Sequence, residues 1–235
     1  TAQQRAAYAG RAAREGILSA DAMVDLYAEI HADPAASGDP QAHAAALREA
    51  YLATDPAARI AAMERLWAAG EALGGGDGYG AKVLTAYAAA RIPADAAHRA
   101  VAGDLIAAML AAGLDRDALA WRGVVEEGSL GWALIALAAP AGGEVSEGAV
   151  ASFIGNDEST DARKSAFLVA GLAGLGRLSA GDAAALADQL GFDLARQTRW
   201  SRTIARAAEV GNPALVALLA GLGMQGASWE AMTPL

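Results

Sequence analysis

An all-α fold, arranged as an array of helical hairpins, is what this 235-residue sequence predicts, and three observations carry that expectation. Alanine occurs 66 times; it is the best helix former and is depleted in strands. Apolar residues recur at i, i+3, i+4 and i+7, the stripe of a helix that buries one face. Helix-start signals recur at residues 19, 56, 94 and 129 and, in a second series, at 146, 179 and 213, so within each series a pair of helices repeats every 33–38 residues. That period suits an α-α superhelix of stacked hairpins. An irregular helical globule is the alternative arrangement. The chain, 1–235, reads as a single all-α domain with a possible subdivision at the glycine-rich stretch 74–80.

The elements follow in order. An alanine-rich helix spans about 2–14. Leu18-Ser19-Ala20-Asp21 then offers a serine N-cap behind an apolar staple residue. Met23, Leu26, Tyr27 and Ile30 keep helical spacing over 19–31. Asp33-Pro34, Asp39-Pro40, Asp55-Pro56 and Asn212-Pro213 each place an Asx residue before proline. The Asx side chain accepts from an orphan backbone N–H, and proline at the first helical position has none to lose. These signals open helices near 40–53, 56–72 and 213–221. Ile60, Met63 and Trp67 mark the buried side of the second.

Gly74-Gly75-Gly76-Asp77-Gly78-Tyr79-Gly80 reads as a connector, followed by a helix over 81–91. Ile92-Pro93-Ala94-Asp95 starts a helix over 94–112, where Val101, Leu105 and Met109 descend one face. Further helices are expected at 116–127, 129–139, 146–154, 159–173, 179–190, 193–209 and from 228 onward. Ser146 and Ser179 are N-caps behind Val145 and Leu178. Ala112-Gly113-Leu114, Gly174-Leu175 and Ala220-Gly221-Leu222 read as helix stops, with glycine at C′ and leucine folding back. Trp121 and Trp229 each stand eight residues after such a glycine.

Composition narrows the function. Hydrophobic residues make up 54% of the chain and there is no cysteine, which excludes a disordered chain and a disulfide scaffold. Eighteen basic against 27 acidic residues give a net charge of −9, contrary to the basic footprint of a nucleic-acid binder. Sixteen of the basic residues are arginine. With so much alanine and glycine, this bias suggests a GC-rich bacterial genome. The absence of cysteine permits an oxidising compartment without demanding one, and a periplasmic or exported setting is expected ahead of a cytoplasmic one. The chain begins at Thr1, not methionine, and holds no signal peptide. The longest uncharged stretch, 210–229, is broken by glycine and proline and reads as a buried helix and turn, so no transmembrane segment is expected.

The spacing of the hairpins resembles tetratricopeptide-type repeats in architecture, although their signature residues are missing. Glu158-Ser159 resembles the glutamate–serine pair of lytic transglycosylases without its aromatic surroundings. That resemblance implies the helical, non-catalytic part of an exported cell-wall enzyme.

No catalytic or cofactor motif is present. The glycine run ends Gly80-Ala81-Lys82 and lacks the Gly-Lys-Ser/Thr of a phosphate loop. His31, His43 and His98 lack zinc-site spacing. Asn156-Asp157-Glu158-Ser159-Thr160-Asp161 starts like a calcium loop but has Phe167 where a bidentate glutamate belongs, so helix capping is its expected role. The five tryptophans, Trp67, Trp121, Trp132, Trp200 and Trp229, are expected to wedge helix junctions in an alanine-rich interior.

The most specific feature is an arginine strip. Arg196, Arg199, Arg202 and Arg206 fall within an arc of about 120° at 100° per residue, opposite Leu194, Trp200 and Ile204. Such a face either meets carboxylates of neighbouring helices or docks an anionic partner. The expected function is therefore a non-catalytic binding or scaffolding module for a protein, peptide or anionic ligand. A small-molecule binder with a pocket between hairpins is a further alternative.

Overall fold

The computed structural model describes residues 1–74, 77–139, 143–194 and 199–224, and the side chains of these except for 199–201 and 221–224. Among the described residues the chain is all-helical, and it divides into two compact units, Thr1–Ala120 and Trp121–Leu235. No helix among them is long and apolar enough to cross a membrane.

The first unit holds α1 (Ala2–Arg14), α2 (Ala20–Ala32), α3 (Gly38–Leu52), α4 (Pro56–Leu73), α5 (Asp77–Ala89), α6 (Ala102–Ala111) and α7 (Asp115–Leu119). Consecutive helices pack on each other, and α5 also packs on α1, α2 and α3. Its residues explain that position: Val83, Leu84, Ala86, Ala88 and Ala89 are all buried, so nearly every face is covered. Met23, Leu26, Leu47 and Leu66 complete the core around it.

Local signals set most boundaries as expected. The side chains of Ser19 and Asp55 accept from the Ala22 and Ala57 amides. The other two Asx-Pro pairs of this unit act differently. Asp33 ends α2, and its Oδ1 accepts from Ala35 N at 2.9 Å in a turn. Asp39-Pro40 lies inside the first turn of α3, behind Ser37 at the N-cap.

The glycine-rich stretch departs most from expectation. Asp77, Gly78, Tyr79 and Gly80 are the first turn of α5, not a connector. Glycine serves closeness there: a Cβ on Gly80 would overlap the Gly10 Cα of α1, and one on Gly70 of α4 would stand 2.8 Å from the Asp77 carbonyl. Contact with two neighbours offsets the roughly 1 kcal/mol that each glycine costs a helix.

The expected helix 94–112 begins as a tight 3-10 segment (Ala96–Val101) capped by Asp95, and only then becomes α6. Gly113 has φ +73°, and Leu114 N donates to Met109 O at 2.9 Å, the glycine stop expected there. The helix expected over 116–127 is cut to α7 and a 3-10 turn (Ala120–Gly123), where Gly123, Val124 and Val125 are poor helix formers.

The second unit holds α8 (Leu130–Ala138), α9 (Glu147–Gly155), α10 (Arg163–Gly174), α11 (Ala180–Gln189), α12 (Arg199–Glu209) and α13 (Pro213–Met224). Here α10 is the hub, packing on each of the other five. Phe167, Leu168, Val169 and Leu172 of α10 meet Leu137, Val150, Phe153 and Leu186. Ser129, Ser146, Ser179 and Asn212 cap their helices through the side chain.

Three boundaries move. The stop assigned to Gly174-Leu175 falls at Gly176, φ +66°, where Arg177 N donates to Leu172 O at 2.8 Å. Gly221 is no stop, because α13 continues to Met224. Asp193 and Leu194 are not helical, so α12 starts later than 193. The helix expected from 228, with Trp229, lies outside the described residues.

Candidate functional site

A cavity of about 270 Å³ opens in the first unit among α1–α5. Each helix brings something different. Alanine and glycine on α1 (Ala6, Ala7, Gly10) leave space that larger side chains would fill. Met23 of α2, Leu66 of α4 and Leu84 of α5 give an apolar floor. Leu73 also lines the cavity although 69% exposed, which puts an apolar residue at its mouth.

Polar groups enter from several sides. Asp39 and His43 are one helical turn apart on α3, and Asp77 is the first residue of α5. Tyr27 comes from α2. Burial pushes the Tyr27 phenol above its ordinary 10.0, and the nearby Asp77 charge pushes it further the same way. The hydroxyl therefore stays protonated and can donate. Among the described residues, the side chains of Tyr27, Asp39, His43 and Asp77 have no hydrogen-bond partner within the chain. Gln3 is tied down, its Nε2 donating to Ser37 O at 3.1 Å. Unpartnered polar groups beside an apolar floor are the usual composition of a small-molecule site.

The arginine strip is reached only in part. Arg196 lies outside the described residues, and Arg199 begins α12 with its side chain undescribed. Arg202 and Arg206 are exposed, while Ile204 and Ala207 of the same helix are buried against Val216. No carboxylate of the described residues pairs with either arginine. The Trp200 side chain, expected opposite, is likewise undescribed.

Other candidates have structural duties. Asp157 Oδ2 accepts from Ser165 N at 2.8 Å and Ser165 Oγ at 2.7 Å, and its Oδ1 accepts from Ser159 N at 2.9 Å. Burial pushes the Asp157 carboxyl up, but these hydrogen bonds outweigh it and hold the group below the usual range. Ser159 Oγ accepts from Lys164 N at 3.0 Å. Both residues thus cap the start of α10, and this delays the helix from 159 to Arg163. The segment before it carries Asp161 and Ala162 at φ 55° and 47°.

His31 is exposed at the end of α2, and His98 Nδ1 stands 2.9 Å from Asp95 Oδ1. Among the described residues no group of three His, Cys, Asp or Glu side chains could hold a metal ion. Trp67 and Trp121 are buried, and Trp132 packs half-buried on the second unit's core.

Sequence reasoning did not single out the cavity. Its signal was Gly10 and Gly70 in mid-helix, where glycine marks a close backbone approach. The polar lining has no motif, since Tyr27, Asp39, His43 and Asp77 come from three helices. No protein-family model matches this chain, and no curated protein or solved structure matches it.

Proposed function

We propose that this chain is a non-catalytic helical binding module whose first unit takes a small molecule into the α1–α5 cavity. One observation carries the reading: four polar side chains without internal partners share a cavity with an apolar floor. At about 270 Å³ the space is just below the roughly 300–1,000 Å³ of sites for drug-sized molecules, so the ligand is small. A helical-repeat origin is supported by Gly16-Ile17-Leu18-Ser19-Ala20 and Gly176-Arg177-Leu178-Ser179-Ala180, near-identical turns whose serines cap in the same way. A bacterial, exported or periplasmic setting remains part of the proposal.

The test is a fragment screen by ligand-observed NMR on the chain and on Ala7→Phe. Ala7 is exposed and lines the cavity, so an aromatic ring there plugs the mouth without disturbing the core. Fragments that bind the unaltered chain should lose binding to Ala7→Phe at unchanged Tm. Equal binding to both, or no fragment bound, would overturn the reading.

A second reading is favoured by Arg202 and Arg206, exposed and without a carboxylate partner among the described residues: α12 docks an anionic peptide or protein. Affinity for a poly-glutamate peptide should then fall in Arg202→Glu/Arg206→Glu at unchanged Tm. Unaltered affinity would remove this reading.

A further inference from the structure

We infer that the α1–α5 cavity selects a compact organic cation, a protonated amine on a small apolar body. The inference rests on the reading of that cavity as a ligand site. Charge is the first argument. Asp39 and Asp77 give the lining a formal charge of −2 with His43 neutral, and no lysine or arginine is among its described residues. Asp77 is partly withdrawn from water and so attracts an opposite charge more strongly than a carboxylate in bulk solvent, while Asp39 is exposed at the rim. Inside this chain nothing described answers either of these two.

The second argument concerns the kind of cation. Asp39, His43 and Asp77 do not form a group that could hold a metal ion. A hard cation would also seek several oxygen ligands at once, whereas this lining is chiefly apolar, with Met23, Leu66 and Leu84 beneath the polar groups. Such a floor suits the hydrocarbon part of an amine.

The third argument is an arrangement the chain already uses. Lys82 Nζ lies 2.7 Å from Asp104 Oδ1 and 3.6 Å from the centroid of the Trp67 ring. An ammonium is thus held between a carboxylate and an aromatic face, the arrangement favoured by cation–π attraction. Asp77 and Tyr27 bring the same two kinds of group to the lining of the cavity. There the ammonium must come from a ligand.

Benzylammonium, benzyl alcohol and benzoate test this, being alike in shape and different in charge. Calorimetry on the full chain at pH 7 should give benzylammonium at least tenfold tighter binding than benzyl alcohol, with no benzoate binding. Asp77→Asn should reduce benzylammonium to the level of the alcohol. Asp39→Asn, on an exposed residue, should weaken it severalfold and serves if the first variant does not fold. Equal binding of the alcohol and the ammonium would overturn the cation inference while leaving the cavity as a ligand site. Benzylammonium binding unchanged in both variants would overturn the site assignment. If none of the three probes binds, the inference falls, and the fragment screen then decides separately whether the cavity binds anything.

Discussion

Residues 1–120 contain all five tyrosines and residues 121–235 all three phenylalanines. Around α5, hydroxyls clamp one helix to the next: Tyr51 OH donates to Leu84 O at 3.2 Å and Tyr79 OH to Ala111 O at 3.3 Å. Trp67 Nε1 donates to Thr85 Oγ1 at 2.8 Å. Around α10, Phe153 and Phe167 fill the space with hydrocarbon. Both hubs need glycine, but differently. Gly80 of α5 faces backbone, whereas a Cβ on Gly171 of α10 would meet the Ala220 Cβ at 2.6 Å and Leu137 Cδ2 at 2.7 Å. The lesson is that small residues permit close helices, and what surrounds them decides whether space is left over. Bulky apolar side chains surround the hub of the second unit, and a cavity opens beside the hub of the first.

The same turn is also used in opposite ways. Between α1 and α2, Ile17 is 79% exposed. At the corresponding place between α10 and α11, Arg177 is only 5% exposed. Its guanidinium donates to the carbonyls of Ala136 and Ala139 at the end of α8, and its own carbonyl accepts from Val145 N at 2.8 Å. Cations are favoured at helix C-termini, where carbonyls lack partners. Burial, with Arg122 nearby, lowers the Arg177 pKa.

The largest effect should come from the backbone contact. Gly80→Ala should cost about 3 kcal/mol by overpacking, since neither α1 nor α5 can move aside singly. Gly171→Ala should cost less, about 2 kcal/mol, because the Leu137 side chain can rotate away and only the Ala220 Cβ, fixed to its backbone, forces α13 to shift. Urea denaturation of the two variants checks the order; a milder Gly80→Ala would refute the difference between the hubs.

Next in size is Arg177→Ala. Loss of its two carbonyl contacts should cost about 2 kcal/mol, against less than about 0.5 kcal/mol for Ile17→Ala, an exposed site. Equal losses on thermal unfolding would mean that the two turns are energetically alike.

Alkaline pH should then separate the units. Burial pushes Tyr51 up to about 12 and also raises Tyr27 and Tyr79 above 10.0. A phenol with a raised folded pKa gives stability that is complete below the unfolded value near 10 and is lost as pH rises through the folded value. The first unit should therefore loosen between pH 10 and about 12, and hydrogen exchange resolved by segment should show it before the tyrosine-free second unit. Simultaneous loosening would break the contrast.

The smallest effect belongs to Asp157. Its folded pKa is depressed, so its contribution is present above the ordinary 3.8 and is lost as pH falls through the folded value. The stability gap between the chain and Asp157→Asn should close below about pH 4. A gap independent of pH would mean that the charge plays no part in capping α10.

Much of this was legible beforehand, for a physical reason. Capping is local, so Ser19, Asp55, Ser146, Ser179 and Asn212 could be assigned from neighbours within three residues. The misplacements arose where one local signal had a nearby rival. Gly174 and Gly176 both follow an apolar run, and only the hydrogen bond from Arg177 to Leu172 selects the second. Asp33 and Asp39 both precede proline, but neither caps a helix through its side chain. Of the arginine strip, periodicity located Arg202 and Arg206 on the face opposite the buried Ile204. The cavity gave no such periodicity.

The sequence by itself determined the helical class, most helix starts and the acidic, cysteine-free character, because propensity, capping and net charge depend on residues close in the chain or on composition. Tertiary structure alone decided that α5 and α10 are hubs and that 77–80 is helix. It also turned one Gly-x-Leu-Ser turn outward with an isoleucine and the other inward with an arginine. Gathering Tyr27, Asp39, His43 and Asp77 around one space belongs there too. Each depends on which backbone approaches which across long separations, and a glycine reads alike in sequence whether it bends a loop or lets two helices touch.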